Sequence, residues 1–188
     1  MNSLRILILL PLALALGIGC AQQAHAQRLT LTNLVVDNQE GRIKVRFGLD
    51  FKDVEAVDEA LRRGETLALE CSATLARKRD YAWNAEVAGG RLGGSLTLHD
   101  GGPYEILMPS ARQQRFRGRD LGLVMREAWS SLTMDIGAWS SLTRGQTYSL
   151  SLEIRLVRQD VPEWVKGTLF FWSFDAAPPI KYQLDFTY

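Results

Sequence analysis

Apolar residues recur at every second position over several long stretches, and this pattern restricts the chain to extended, half-buried strands. Ile43, Val45, Phe47, Leu49 and Phe51 alternate with Lys44, Arg46, Gly48 and Asp50. In a strand, successive side chains point to opposite faces, so the first set faces a core and the second faces water. Leu67, Leu69, Cys71, Ala73 and Leu75 repeat the pattern, with Ala68, Glu70, Ser72 and Thr74 opposite. Tyr148, Leu150, Leu152, Ile154 and Leu156 do so again, and Ile180, Tyr182, Leu184, Phe186 and Tyr188 close the chain. Weaker strands are expected over 29–36, 91–98 and 104–108. Asp37-Asn38-Gln39-Glu40-Gly41 and Asp100-Gly101-Gly102-Pro103 supply turn chemistry between them.

Three segments switch to helical spacing. Val54, Val57 and Leu61 share a face, with Asp53 as N-cap and Gly64 beyond the end. Leu121, Val124, Ala128 and Leu132 share one after Asp120. Asp160-Val161-Pro162-Glu163 has the cap, first-turn proline and capping-box glutamate of a third, short helix. The expected fold is therefore mainly β with an α+β character. It is an antiparallel β-sandwich-like domain of about seven strands with two or three short helices. Ala128-Trp129-Ser130-Ser131-Leu132-Thr133 recurs as Ala138 to Thr143, but two copies do not make a repeat architecture.

The first 26 residues read as a signal peptide. Arg5 gives a positive start, Ile6 to Leu16 an apolar run, and Ala24-His25-Ala26 a small-x-small cleavage pattern. Cleavage after Ala26 leaves one exported, periplasmic domain over 27–188. The alternative is a lipoprotein anchored at Cys20, although Gly17 stands where a large aliphatic residue is usual. Losing 1–26 removes one of 22 basic residues, Arg5, and none of the 21 acidic ones. The exported domain is thus formally neutral, which argues against nucleic acid as a partner.

Little catalytic chemistry is available. The chain has two histidines, and His25 leaves with the signal. His99 falls at a hairpin end, where a polar residue needs no further role. Cys71 lies on an apolar strand face and reads as a core thiol. One His and one Cys cannot make a zinc site of the usual kind, so neither metal nor cofactor is expected. Asp53, Glu55, Asp58 and Glu59 suit the start and solvated face of a helix. Gly89-Gly90-Arg91-Leu92-Gly93-Gly94 lacks the context of a phosphate loop and reads as a loop entering a strand, with a bulge. Arg77-Lys78-Arg79 reads as protection of an exposed sheet edge.

The most distinctive charged feature is Arg112, Arg115, Arg117 and Arg119 around Phe116, read as a loop before the second helix. Arginines at this density suit an anionic partner surface or lipid headgroups. These five residues are the candidate binding site. They favour a non-enzymatic binding or accessory module for an envelope protein, with peripheral membrane contact as a further mode. One alternative is a small exported hydrolase or carbohydrate-active enzyme working with carboxylates. Another is a small outer-membrane β-barrel, suggested by the aromatic-ended alternation of Ile180 to Tyr188.

The order of features also resembles a known family. It runs from Asp53-Val54-Glu55-Ala56-Val57-Asp58-Glu59-Ala60-Leu61-Arg62-Arg63-Gly64 through the Asp120 helix. Leu142-Thr143-Arg144-Gly145-Gln146-Thr147-Tyr148, Phe171-Trp172 and the aromatic-rich last strand follow. This is similar to the bacterial exported family catalogued as domain of unknown function 4390, over nearly all of the chain after the signal. The resemblance carries no activity and no functional residues. It implies a periplasmic accessory or sensory role beside a membrane-bound sensor histidine kinase.

Overall fold

The computed structural model describes residues 29–79, 83–109, 113–159 and 175–188. The signal segment, Cys20, the third helix at Asp160 and Arg112 lie outside the described residues.

The alternating segments are strands, and their apolar sets face one core. β1 (Leu29–Gln39), β2 (Arg42–Phe51) and β7 (Leu132–Ala138) form an antiparallel sheet in the order β1-β2-β7. β3 (Leu67–Arg77), β4 (Ala85–Leu98), β5 (Tyr104–Met108), β6 (Gln114–Gly118), β8 (Thr147–Arg158) and β9 (Asp175–Thr187) form the second. Its order is β6-β5-β4-β3-β8-β9, all antiparallel. Ile43, Val45 and Phe47 of one sheet and Leu69, Cys71, Leu150 and Ile154 of the other are buried in a common cluster. Truncating a fully buried leucine here, such as Leu69 or Leu150, to alanine costs about 2–5 kcal/mol through lost transfer energy and a residual cavity.

Two helices plug the sandwich. In α1 (Val54–Arg62) the Asp53 carboxylate accepts from the Ala56 N–H at 3.2 Å. In α2 (Leu121–Trp129) Asp120 accepts from Leu123 at 2.9 Å. Each cap satisfies a backbone donor that the first turn leaves without an intrahelical acceptor. Trp129, fully buried at the end of α2, packs on Phe51 with ring centroids 5.0 Å apart.

The described residues contain nine strands, two more than the sequence pattern suggests. β6 replaces part of the expected arginine loop. Its alternation is hidden because Phe116 is its single large apolar side chain. β7 was obscured because Leu132 extends the helical spacing of α2, whereas α2 ends at Trp129 and Leu132 opens a strand.

The glycine run is also strand throughout, inside β4, with the bulge between Leu75 and Ala76 where Val87 is the extra residue. Gly90 shows one reason for the composition. A Cβ there would lie 2.5 Å from the Asp135 carbonyl oxygen and 3.1 Å from Ile136 Cγ2, so the two sheets meet where β4 lacks a side chain. Arg77 and Lys78 do not guard an edge, because β3 is central and Arg77 registers with Ala85 and Tyr148. Lys78 instead pairs with Asp185 at 2.8 Å.

The outer-membrane barrel is not what the strands make. The described strands form two sheets around a side-chain-filled core. Polar Glu70 and Arg46 face outward, the reverse of a lipid-facing band.

Candidate functional site

Most ion pairs on the described surface are close. Asp135 takes Arg42 at 2.8 Å and Lys44 at 3.0 Å across β2 and β7. Asp37 takes Arg46 at 2.7 Å, and Glu65 takes Arg158 at 2.8 Å and Arg63 at 3.0 Å. The Asp135 carboxyl is held down to about 2, first by the hydrogen bond from Arg42, against some opposing burial, with further help from Lys44.

The β6 edge departs from this balance. Arg115 and Arg117 alternate with Phe116, so both guanidinium groups project to the exposed outer face while Phe116 packs against the core. Beneath them lies Glu105 on β5, only 7% exposed although it stands on the outer face of the sheet. Glu105 registers with Thr97 on one side and Arg117 on the other. Its Oε1 is 3.7 Å from Arg115 Nε, and its Oε2 is 3.8 Å from Arg117 Nε. The His99 Nε2 lies 3.6 Å from the same Oε2. One carboxylate therefore faces two arginines and a histidine, all beyond ordinary hydrogen-bond length. Among the described residues no strand pairs with the outer edge of β6.

The edge continues into a cleft of about 690 Å3. Arg119, the fourth arginine of the sequence cluster, lines it together with Arg62, His99 and Tyr104. On its α1 side the Tyr104 hydroxyl donates to Asp58, and Arg62 Nε donates to Asp58 at 2.8 Å. Burial pushes the Asp58 carboxyl up, but the Tyr104 and Arg62 hydrogen bonds outweigh it and hold it below the usual carboxylate range. The Tyr104 hydroxyl is pushed up, chiefly by that same bond to Asp58. Asp58 is thus not a solvated helix-face acid as the sequence suggested. It ties α1 to β5.

Of the five sequence candidates, the fold brings Arg115, Arg117 and Arg119 to one edge and turns Phe116 inward. Sequence reasoning missed Glu105, Arg62 and Tyr104. A signal existed for Glu105, an acid between two apolar residues in a predicted strand. Cys71 is buried, and that burial, with some help from Glu70, pushes its thiol up to about 12. A second, smaller depression of about 430 Å3 on the outer sheet face holds two carboxylates, Glu70 and Glu153. Glu70 is exposed, and Glu153 lies 3.6 Å from Lys181. Among the described residues no cluster of three or more His, Cys, Asp or Glu is placed to hold a metal ion.

These features define a two-sheet antiparallel sandwich with a cationic edge. Residues 26–184 match the family model described as Domain of unknown function (DUF4390), and the chain belongs to that family. Comparison with curated proteins and with solved structures gave no match.

Proposed function

We propose that this is a non-enzymatic, exported binding module that engages an acidic, extended segment of an envelope protein through the β6 edge. Support comes from one observation above all: Arg115 and Arg117 stand on an open strand edge and share a single buried carboxylate at 3.7 and 3.8 Å. Among the described residues their bonding capacity is therefore unfilled, and a guanidinium fork prefers carboxylates. The unpaired backbone of an edge strand accepts an extended partner segment by strand addition, and the arginines select one that carries acids. Export after cleavage at Ala26, or anchoring at Cys20, puts the module in the envelope. The family resemblance directs the partner search first to a membrane-bound sensor histidine kinase.

A carboxylate hydrolase would have to work from Glu70 and Glu153. The exposure of the first and the lysine beside the second do not provide the desolvated acid that such chemistry uses. The test is pull-down from envelope extracts with the wild type and with an Arg115→Ser/Arg117→Ser variant. A partner retained by the first and lost by the second is expected. Equal recovery by both contradicts the proposal.

A further inference from the structure

We infer that the cleft beside β6 is a separate binding site for a phosphate-bearing ligand. Its polar lining draws on three separate stretches of chain, with Arg62 on α1, His99 and Tyr104 in the β4–β5 hairpin and Arg119 after β6, and Leu61 and Leu98 add apolar surface. The fold, not local sequence, brings Arg62 and Arg119 to one cleft with His99 and Tyr104.

Three of the acids nearby are already engaged. Asp58 accepts from Arg62 and Tyr104. Asp120 caps α2 at 2.9 Å. Glu105 lies under His99, Arg115 and Arg117. Arg62 uses its Nε on Asp58 and one Nη2 hydrogen on Tyr104, which leaves further N–H donors. Arg119 forms no ion pair with a described acid. Three donors arriving from separate elements suit a tetrahedral head with three oxygens better than a planar carboxylate with two. Asp100, the one acid in the lining, opposes a more highly charged ligand and so favours a single phosphate group.

The phosphate could belong to a soluble ester or to a lipid headgroup, and one experiment separates the two. The purified protein is titrated with glycerol phosphate and, in parallel, with phosphatidylglycerol vesicles. The readouts are calorimetry and the His99 imidazole NMR resonances, which a His99→Gln variant distinguishes from those of His25. Saturable binding with movement of the His99 resonances is expected. Arg119→Ser and His99→Gln should each weaken it at least tenfold, Asp100→Asn should tighten it a few-fold, and Lys181→Ser on the far side of the sheet should change nothing. Binding of glycerol phosphate identifies a soluble ester as the ligand. Binding of vesicles alone, sensitive to Arg119→Ser, identifies a headgroup. No saturable binding to either, or binding undiminished in both Arg119→Ser and His99→Gln, overturns the inference.

Discussion

Glu105 and Arg117 stand opposite each other in the β5–β6 ladder, with Oε2 and Nε 3.8 Å apart. Arg115 approaches the other oxygen of the same carboxylate at 3.7 Å, so the acid restrains the arginines without saturating either. If the arginines bind an acidic partner segment, Glu105 competes with that segment. Glu105→Gln keeps the shape and removes the charge. It should tighten partner association several-fold while lowering stability by only about 1 kcal/mol, the scale of one modest polar interaction. Parallel affinity and urea-unfolding measurements check this. Association weakened as far as in Arg115→Ser/Arg117→Ser would mean that Glu105 positions the arginines instead.

Gly90 is where the sheets touch. Gly90→Ala puts a Cβ against the backbone oxygen of Asp135 and should cost about 1–3 kcal/mol, the usual scale for overpacking. At Gly93 the nearest atom to a new Cβ is the Leu69 carbonyl oxygen at 3.4 Å, an ordinary contact. Gly93→Ala should therefore stay within about 0.5 kcal/mol of wild type. Thermal melts of the two variants provide the comparison, and equal losses would place the sheet contact elsewhere.

Much of this was legible beforehand, for a physical reason. Strands with one buried face announce themselves by period two, and β2, β3 and β8 did. β6 escaped because a five-residue edge strand with a single buried side chain has no alternation to detect. The glycines of β4 mimic a loop, and only tertiary contacts account for two of them: β7 crosses over Gly90, and Met108 of β5 packs against Gly94. The arginine cluster was visible as charge. Its counter-ion Glu105 and the cleft residues Arg62 and Tyr104 were not, since strand pairing and helix docking bring them together from distant positions.

Acid should weaken the β2–β7 pairing of the smaller sheet. The Asp135 carboxyl titrates near 2 in the fold against an ordinary 3.8, so its contribution is complete above the unfolded value and is lost as the pH falls through the folded one. Asp185, also held down to about 2, chiefly by Lys78, acts in the same direction. Between about pH 4 and pH 2 the wild type should lose stability, and Asp135→Asn should lose less over that interval. Denaturant midpoints at both ends of the window check the sign. An identical slope in wild type and variant would remove Asp135 from the account.

Cys71 should resist alkylation. A thiol pushed up to about 12 carries almost no thiolate near neutral pH, and the side chain is buried. Iodoacetamide at pH 8 should modify Cys71 only after unfolding, as read by peptide mass mapping. Rapid labelling of the folded protein would show that this stretch of β3 opens.

The most direct test of the β6 edge as a partner-binding surface is crosslinking in living cells. A tagged wild type is compared with a variant carrying serine at Arg112, Arg115, Arg117 and Arg119. Adducts are identified by mass spectrometry, and circular dichroism confirms that the variant is folded. A dominant envelope protein captured by the wild type and lost from the folded variant is the predicted result. The same adducts at the same yield from both proteins would contradict the assignment of the arginine edge as the binding surface.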